Sequence, residues 1–153
     1  MATNKGKAFE VKFKSDFSKI EGSTIDRIYD SVSGFKNIKN VCDFIGYVYP
    51  KIYYLECKSH KGGTFPLSNF TQYHALLAKK DIKGVVAGAI IWFIEKDKVI
   101  FVPIKTFEQL FKEGKKSVNI KMLGDSNYKI LEIPSKKKRT FMDSDYSVLL
   151  DFE

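Results

Sequence analysis

Hydrophobic residues near the start of the chain recur at helical spacing. Four apolar side chains are four, four and three positions apart: Phe9, Phe13, Phe17 and Ile20. This spacing places them on one side of a helix. Gly22 follows the last of them, and glycine commonly lies just beyond a helix end. The pattern therefore predicts an amphipathic first helix that ends before Gly22.

Two strand-like runs come next, over residues 41–48 and 52–58. They are separated by a short segment that contains Pro50, and a proline at this place favours a turn. We therefore predict a β-hairpin. Residues 31–40, which precede it, are polar and contain Gly and Asn, so we expect a loop or a flexible basic arm.

Helical spacing returns over residues 68–80. The apolar positions that would share one face of this helix are Phe70, Tyr73, His74 and Leu77. Ser68 has the character of an N-cap and Gly84 that of a stop. We predict a second amphipathic helix here.

The remaining pattern predicts a second hairpin and one more helix. Residues 85–95 and 99–104 are apolar runs joined by a short charged turn. Thr106 and Gln109 have the spacing of a capping box, which predicts a short helix from this point. Residues 128–133 have the character of a strand. No internal repeat and no linker is visible, so we expect one α/β domain over residues 1–153, with a core of about residues 4–133 and a C-terminal extension, 134–153.

Composition narrows the class of protein. The chain has 26 Lys and Arg against 18 Asp and Glu, a net charge of +8. This excess favours a polyanionic partner, either nucleic acid or an acidic membrane face. Cys42 and Cys57 are too few for a disulfide scaffold, and we expect both to be buried. The first residues lack the apolar run of a signal peptide, and the longest apolar run is too short to span a bilayer. We therefore expect a soluble, cytoplasmic protein without a membrane partner.

The second strand of the first hairpin carries candidate chemistry. Side chains alternate along a strand, so Glu56 and Lys58 point to one side. Asp43 lies thirteen residues before Glu56 on the preceding strand, and hairpin pairing would bring the two carboxylates together. Such a pair repels unless a proton or cation intervenes, and Mg²⁺ prefers oxygen ligands of this kind. On the pattern alone, a solvated strand face with a cross-strand salt bridge remains the alternative.

Glu10 is an unusual residue for its place on the first helix. It lies seven positions before Phe17, within about 20° of it around the helix axis and so on the apolar side. It is a candidate outer metal ligand or water-positioning group, and the alternative is a Glu at the edge of the stripe that reaches for water.

Five segments occur in an order that is typical of one nuclease family. They are NKGKAFE at residues 4–10, CDF at 42–44, LECK at 55–58, TFPL at 64–67 and NF at 69–70. In these segments the chain resembles the RecU-type Holliday-junction resolvases, particularly small phage-borne relatives, within the PD-(D/E)xK nuclease superfamily. The resemblance covers roughly residues 4–104.

The resemblance implies a restriction-endonuclease-like α/β fold, in which a mixed β-sheet core is flanked by helices and the active site lies on a central β-hairpin. It implies a homodimer that resolves four-way DNA junctions by paired symmetric nicks, with Mg²⁺ or Mn²⁺ and no organic cofactor, in the bacterial host cytoplasm if phage-encoded. By position, Asp43 and Glu56 would bind the metal and Lys58 would be the catalytic lysine. Glu10 would be the acid of the first helix and a further ligand.

Three features depart from the family pattern. Cys42 stands where family members often have a Thr, which puts a hydroxyl role there in doubt. The stalk between the first helix and the hairpin is short. Near the metal, the polar position of the following helix is filled by Gln72 or His74. We favour Gln72 as a catalytic residue, because His74 shares the apolar stripe.

Basic side chains that would contact phosphates are dispersed along the chain. The candidate DNA-binding residues are Lys5, Lys7, Arg27, Lys36, Lys39, His60, Lys61, Lys136, Lys137, Lys138 and Arg139. Each of them is equally compatible with a solvated surface. Two other functions stay open: a nuclease of this superfamily that cuts duplex or flap DNA, and a basic DNA-binding module without catalysis.

Overall fold

The computed structural model describes residues 5–29 and 40–152. Its strands are β1 (Thr24–Arg27), β2 (Phe44–Val48), β3 (Lys51–His60), β4 (Thr64–Pro66), β5 (Val85–Phe93), β6 (Lys98–Pro103), β7 (Ser117–Asn119), β8 (Leu131–Ile133), β9 (Ser135–Lys137) and β10 (Met142–Ser144). Its α-helices are α1 (Lys5–Phe17), α2 (Tyr73–Leu77) and α3 (Ile104–Lys112), and its 3-10 helices are Leu67–Asn69, Ile94–Lys96, Ile120–Gly124 and Tyr146–Asp151. The predicted loop over residues 31–40 lies outside the described residues except for Asn40.

Six strands form one mixed sheet in the order β1-β2-β3-β5-β6-β8. β3 and β5 run parallel, whereas the other neighbouring strands of this sheet are antiparallel. A parallel pair needs a crossover connection, and the segment that contains β4 and α2 provides it. β2 and β3 form the first predicted hairpin, with Phe44 opposite Leu55. β5 and β6 form the second.

Helices cover both faces of this sheet. α1 buries Phe9, Phe13 and Phe17 against one face, so the predicted stripe is confirmed for these three residues. The helix ends at Phe17, and Ile20 packs on the same core from the following turn. α2 and α3 cover the opposite face. This arrangement confirms the predicted α/β class.

Both cysteines are buried, as predicted. They lie on opposite sides of the sheet. Cys57 belongs to the core beneath α1, and Cys42 belongs to the core beneath α2 and α3. The Cys42 thiol donates to the Phe44 carbonyl oxygen across 3.1 Å. Burial and the nearby Glu56 raise the pKa of Cys42 to about 12, so this side chain remains a neutral thiol.

The predicted helix over residues 68–80 is wrong in length, and one residue of its predicted face, His74, is not packed on the core, whereas Phe70, Tyr73 and Leu77 are. A 3-10 helix and an irregular Phe70 come first, and α2 is only five residues long. Phe70 precedes the helix, so it reaches the same core from a turn and not from α2. Leu76 is fully buried, and His74 is exposed rather than part of an apolar stripe.

The predicted capping box at Thr106 and Gln109 is also wrong. α3 begins at Ile104, directly after Pro103, and Thr106 lies inside it. The buried Thr106 hydroxyl donates to the Lys129 carbonyl oxygen across 2.6 Å. Its partner is therefore in a distant segment, which local sequence cannot reveal.

The segment that follows β8 closes the core on the α1 side. β9 and β10 form a hairpin, and the 3-10 helix Tyr146–Asp151 follows it. The Tyr146 ring meets the Phe13 ring edge-on, with centroids 4.8 Å apart. Asp16 is buried in α1 and accepts a hydrogen bond from the Ser144 backbone N–H across 3.0 Å. Within the described residues, no helix is long and apolar enough to span a membrane.

Candidate active site

The β2–β3 hairpin places two carboxylates side by side. Phe44, the first residue of β2, is paired with Leu55. Asp43 directly precedes β2 and therefore stands opposite Glu56 in the same antiparallel register. The Cys57 backbone N–H donates to Asp43 Oδ2 across 2.9 Å. This bond fixes the Asp43 carboxylate against β3, where the sequence pattern predicted it.

The Glu56 side chain is buried, which disfavours its ionised form. Its side chain is 1% exposed, and its Oε1 atom has no hydrogen-bond partner within the described residues. Burial and the neighbouring Asp43 carboxylate raise the pKa of Glu56 well above its ordinary value, against the opposing effect of Lys58. A buried carboxylate with a second acid beside it is stabilised by a proton or by a cation.

Lys58 lies on the same face of β3 as Glu56, two residues further along. Its Nζ atom is 3.5 Å from Glu56 Oε2, and 28% of its side chain is exposed. The ammonium group is thus anchored at the acid pair and still open toward solvent. The Lys58 ammonium group can therefore contact an anionic substrate.

Arg27 links the acid pair to the first helix. From β1, its Nε donates to Glu10 Oε2 across 3.1 Å, and its Nη2 is 3.5 Å from Asp43 Oδ1. Its Nη1 also donates to the backbone carbonyl oxygens of Ile28 and Asp43. Burial opposes the charge, but Asp43 and Glu10 together raise the pKa of Arg27.

The acid pair fits a hard divalent cation. The unpartnered Oε1 atom of Glu56 is an unused oxygen ligand beside a second carboxylate. Mg²⁺ typically takes one or two protein carboxylates and completes its shell with waters and substrate phosphate. Among residues 5–29 and 40–152, no group of three or more His, Cys, Asp and Glu side chains is arranged to hold a metal ion. Asp43 and Glu56 are therefore the candidate ligands, and the role of Glu10 as a third stays a prediction.

Comparison with known families identifies the family of this chain. A model of the family described as RecU, recombination protein U, matches residues 4–142. The chain belongs to the RecU family. The match confirms the resemblance and extends it beyond residue 104, through β9 to the first residue of β10.

A solved structure supports the fold of this RecU chain. The chain is similar to Hjc, a Holliday junction resolvase from the archaeal hyperthermophile Archaeoglobus fulgidus. The TM-score is 0.51 at 19% sequence identity, and the match covers 66% of this chain and 78% of that chain. No curated protein matches the RecU chain in sequence.

Two other predicted site residues of the RecU chain have contacts away from the acids. Gln72 is partly buried just before α2, where its Oε1 accepts a hydrogen bond from the Thr71 hydroxyl across 2.9 Å. Within the described part of the chain, no hydrogen bond joins Gln72 to Asp43 or Glu56. His60 ends β3, with its ring edge-on to Phe65.

The candidate DNA-binding residues of the RecU chain fall into separate groups. Lys5 and Lys7 are exposed on the first turn of α1, and Lys61 follows β3. The basic run of residues 136–139 is exposed on the β9–β10 hairpin and its turn. Lys36 and Lys39 lie outside the described residues. Among the members of this set that the structure describes, Arg27 is the one paired with an acid of the site, Asp43.

Arg27 was predicted as a DNA contact, and in the RecU structure it pairs with two acids. Tyr29, which the sequence pattern did not single out, is 78% exposed, and the Arg27 guanidinium carbon lies 5.4 Å from its ring centroid. The pairing of β1 with β2 brings Arg27 to the acids, and the residues around Arg27 do not specify this pairing.

Proposed function

We propose that this RecU-family protein is a metal-dependent endonuclease that resolves four-way DNA junctions. One observation carries the proposal: a buried, unpartnered Glu56 carboxylate stands opposite Asp43, with Lys58 on the same face. The likeness to Hjc, itself a Holliday junction resolvase, supports the same substrate class.

The residues of the site divide the chemistry among them. Asp43 and Glu56 would hold Mg²⁺, or Mn²⁺ in its place. Such an ion polarises a scissile phosphate and lowers the pKa of a water bound to it. Lys58 places a positive charge where negative charge develops on the phosphate oxygens. The hydrogen bond from the Cys57 N–H holds Asp43 in position before substrate arrives.

Arg27 and Glu10 would support this pair. The Arg27 guanidinium partly neutralises Asp43 and ties it to Glu10 on α1. In this way β1, β2 and the first helix keep a fixed geometry around the acids. Arg27 joins Glu10 to Asp43, and the role proposed for Glu10 is to orient a water at the acids.

Resolution of a junction requires two nicks on opposed strands. A symmetric pair of active sites supplies them most simply, and we therefore propose that the active form is a homodimer. The net charge of +8 supports phosphate contacts along the arms of the junction.

The experiment that tests the substrate is a cleavage assay on three labelled DNAs: a four-way junction, a linear duplex of the same sequence and a flap. We expect symmetric nicks in the junction with Mg²⁺ or Mn²⁺, none with EDTA, and much slower cutting of the other two. Equal cutting of all three would keep the nuclease and contradict junction selectivity. Tight junction binding without any cleavage would leave a DNA-binding module.

A further inference from the structure

An open cleft of about 750 Å³ lies between α1 and the β9–β10 hairpin. This volume is within the range of small-molecule sites. Phe9, Trp92 and Met142 line it, and each of them is only 6% exposed. The Phe9 and Trp92 rings contact each other, with centroids 5.6 Å apart. The base of the cleft is therefore apolar and largely aromatic.

The walls of the cleft expose apolar side chains to solvent. Val11 is 73% exposed on the α1 side, and Phe141 is 42% exposed on the hairpin side. Both belong to the small set of large hydrophobic side chains that the described residues leave exposed. The flat Phe141 ring on one wall and the apolar Val11 side chain on the other suit an aromatic ligand.

The charges that line the cleft are mainly positive. Lys5, Lys12, Lys137 and Arg139 line it, against the single acid Asp97. Lys12 and Lys137 are neutralised in part, because Lys12 pairs with two acids and Lys137 with Asp97. Lys5 and Arg139 have no ion pair within the described residues. Two uncompensated cations thus border an aromatic cleft, a combination that complements an anion with a flat apolar part.

A second observation is independent of charge. The Trp92 Nε1 atom is buried and has no hydrogen-bond acceptor within the described residues. Buried indole N–H groups usually have a partner, so this donor is an exception that calls for a ligand or a water. Ser15 and Thr140 also line the cleft and offer hydroxyl groups. Nucleobases present acceptors and donors that these two exposed hydroxyl groups can meet.

We propose that this cleft binds an unstacked nucleobase of single-stranded or branch-point DNA, with the flanking phosphates on Lys5 and Arg139. Proteins that bind single strands combine aromatic platforms for bases with a cationic path for the backbone. Base stacking on Phe141 and the aromatic base of the cleft would supply the first part. Lys5 and Arg139 supply the second.

The cleft is close to the proposed catalytic site through α1. Phe9 lines the cleft, whereas Glu10, the next residue, pairs with Arg27 at the acids. Consecutive helix residues point about 100° apart, so the two sites lie on adjoining sides of one helical turn. A strand bound at the acids therefore reaches the cleft within a few nucleotides. The inference rests on the proposed function only in taking DNA as the ligand.

The chain contains one tryptophan, and it lines this cleft, so its fluorescence reports occupancy directly. The probe is a short oligothymidine, titrated in EDTA so that no strand is cut. The matched probe has the same length and number of phosphates but abasic central positions. We expect saturable quenching of Trp92 by oligothymidine and at least about fivefold weaker binding of the abasic strand, the lower end of base stacking on an aromatic side chain.

Phe141→Ser tests the wall of the cleft, and Phe111→Ser is its control because Phe111 is 41% exposed in α3 and does not line the cleft. We expect Phe141→Ser to weaken the quenching about fivefold or more, and Phe111→Ser to leave it unchanged. Arg139→Gln should weaken both probes alike, since it removes only a phosphate contact.

Equal quenching by the two probes, or an unchanged titration with Phe141→Ser, would overturn base binding. DNA binding seen by anisotropy without any Trp92 quenching would also overturn it. Junction cleavage is measured separately with Mg²⁺ and without the fluorescence readout. Loss of quenching with intact cleavage therefore contradicts the cleft alone, and quenching without cleavage contradicts the proposed function alone.

Discussion

Glu56 is the residue whose environment most directly links stability to function. Its Oε1 atom is buried without a donor, next to a second carboxylate. Without metal, the ionised form is therefore disfavoured in the folded protein. Because its pKa is raised on folding, the folded state binds the proton more tightly, and metal-free stability falls as pH rises from the ordinary Glu pKa through the raised one.

Replacing this carboxylate by an amide removes the penalty. We expect Glu56→Gln to melt about 2 °C or more above wild type in EDTA at pH above the raised pKa, equivalent to ~1 kcal/mol in a domain of this size. The same variant should lose most of the stabilisation that Mg²⁺ gives to wild type. Thermal melts of both proteins, with EDTA and with Mg²⁺, measure this. The control is Glu132→Gln, an exposed acid paired with Lys98, and a similar rise in its melting temperature would contradict the assignment.

The grouping of Asp43, Glu56 and Lys58 could be predicted from local pattern, whereas the contacts of Arg27 could not. Alternation along one strand aligns Glu56 with Lys58, and a short hairpin turn brings Asp43 opposite. Arg27 is different, because its contacts with Glu10 and Asp43 depend on β1 pairing with β2 across the segment that separates them. Nothing in the residues near Arg27 specifies that register.

At the scale of elements, Asp16 ties α1 to the C-terminal hairpin. Its carboxylate is 1% exposed, contacts Lys12 and Lys19, and accepts the Ser144 backbone N–H. Removing it leaves the Lys12 ammonium and this N–H without their buried acceptor. We expect Asp16→Ala to lower the free energy of unfolding by ~2–3 kcal/mol, somewhat less than a fully buried pair because Lys12 keeps Asp143.

Urea unfolding measures this loss as a lower midpoint with an unchanged slope. The control is Asp81→Ala, whose ion pair with Lys105 is exposed and should contribute little. A midpoint for Asp16→Ala equal to that of the control would mean that the hairpin is held to α1 by its apolar contacts alone.

Prediction of elements succeeded where one periodic run coincides with one element. The phenylalanines of α1 and the alternation of β2 and β3 are of this kind. The helix over residues 68–80 was predicted too long, because Phe70 packs on the same core from a preceding turn and only residues 73–77 are helical. The capping box failed because Thr106 bonds to Lys129 instead of a backbone N–H of its own helix.

For the whole molecule, the positive charge predicts a salt-dependent affinity for DNA. The candidate phosphate contacts are spread over α1, the end of β3 and the β9–β10 hairpin. About five simultaneous contacts would weaken junction binding by roughly 10²- to 10³-fold between ~50 and ~200 mM salt. Fluorescence anisotropy with EDTA measures this slope. Affinity that stays within about twofold over this range would contradict phosphate binding as the main contribution.

The fold class could be predicted for the whole chain, but the packing of its last residues could not. The ordered motifs end at residue 70, whereas the family match continues to residue 142. β9 and β10 are three residues each, and they are held by partners such as Asp16, which is 128 positions from Ser144. Contacts of this range leave no periodic trace in the local sequence.

The central claim is that Asp43 and Glu56 hold the metal that cuts DNA. Its most direct test is the single-turnover cleavage rate of a labelled four-way junction as a function of Mg²⁺ concentration, for wild type, Asp43→Asn and the surface control Asp81→Asn. We predict a rate that saturates with Mg²⁺ for wild type and the control, and a loss of at least ~100-fold in Asp43→Asn with junction binding retained. Cleavage by Asp43→Asn at the wild-type rate would contradict the account.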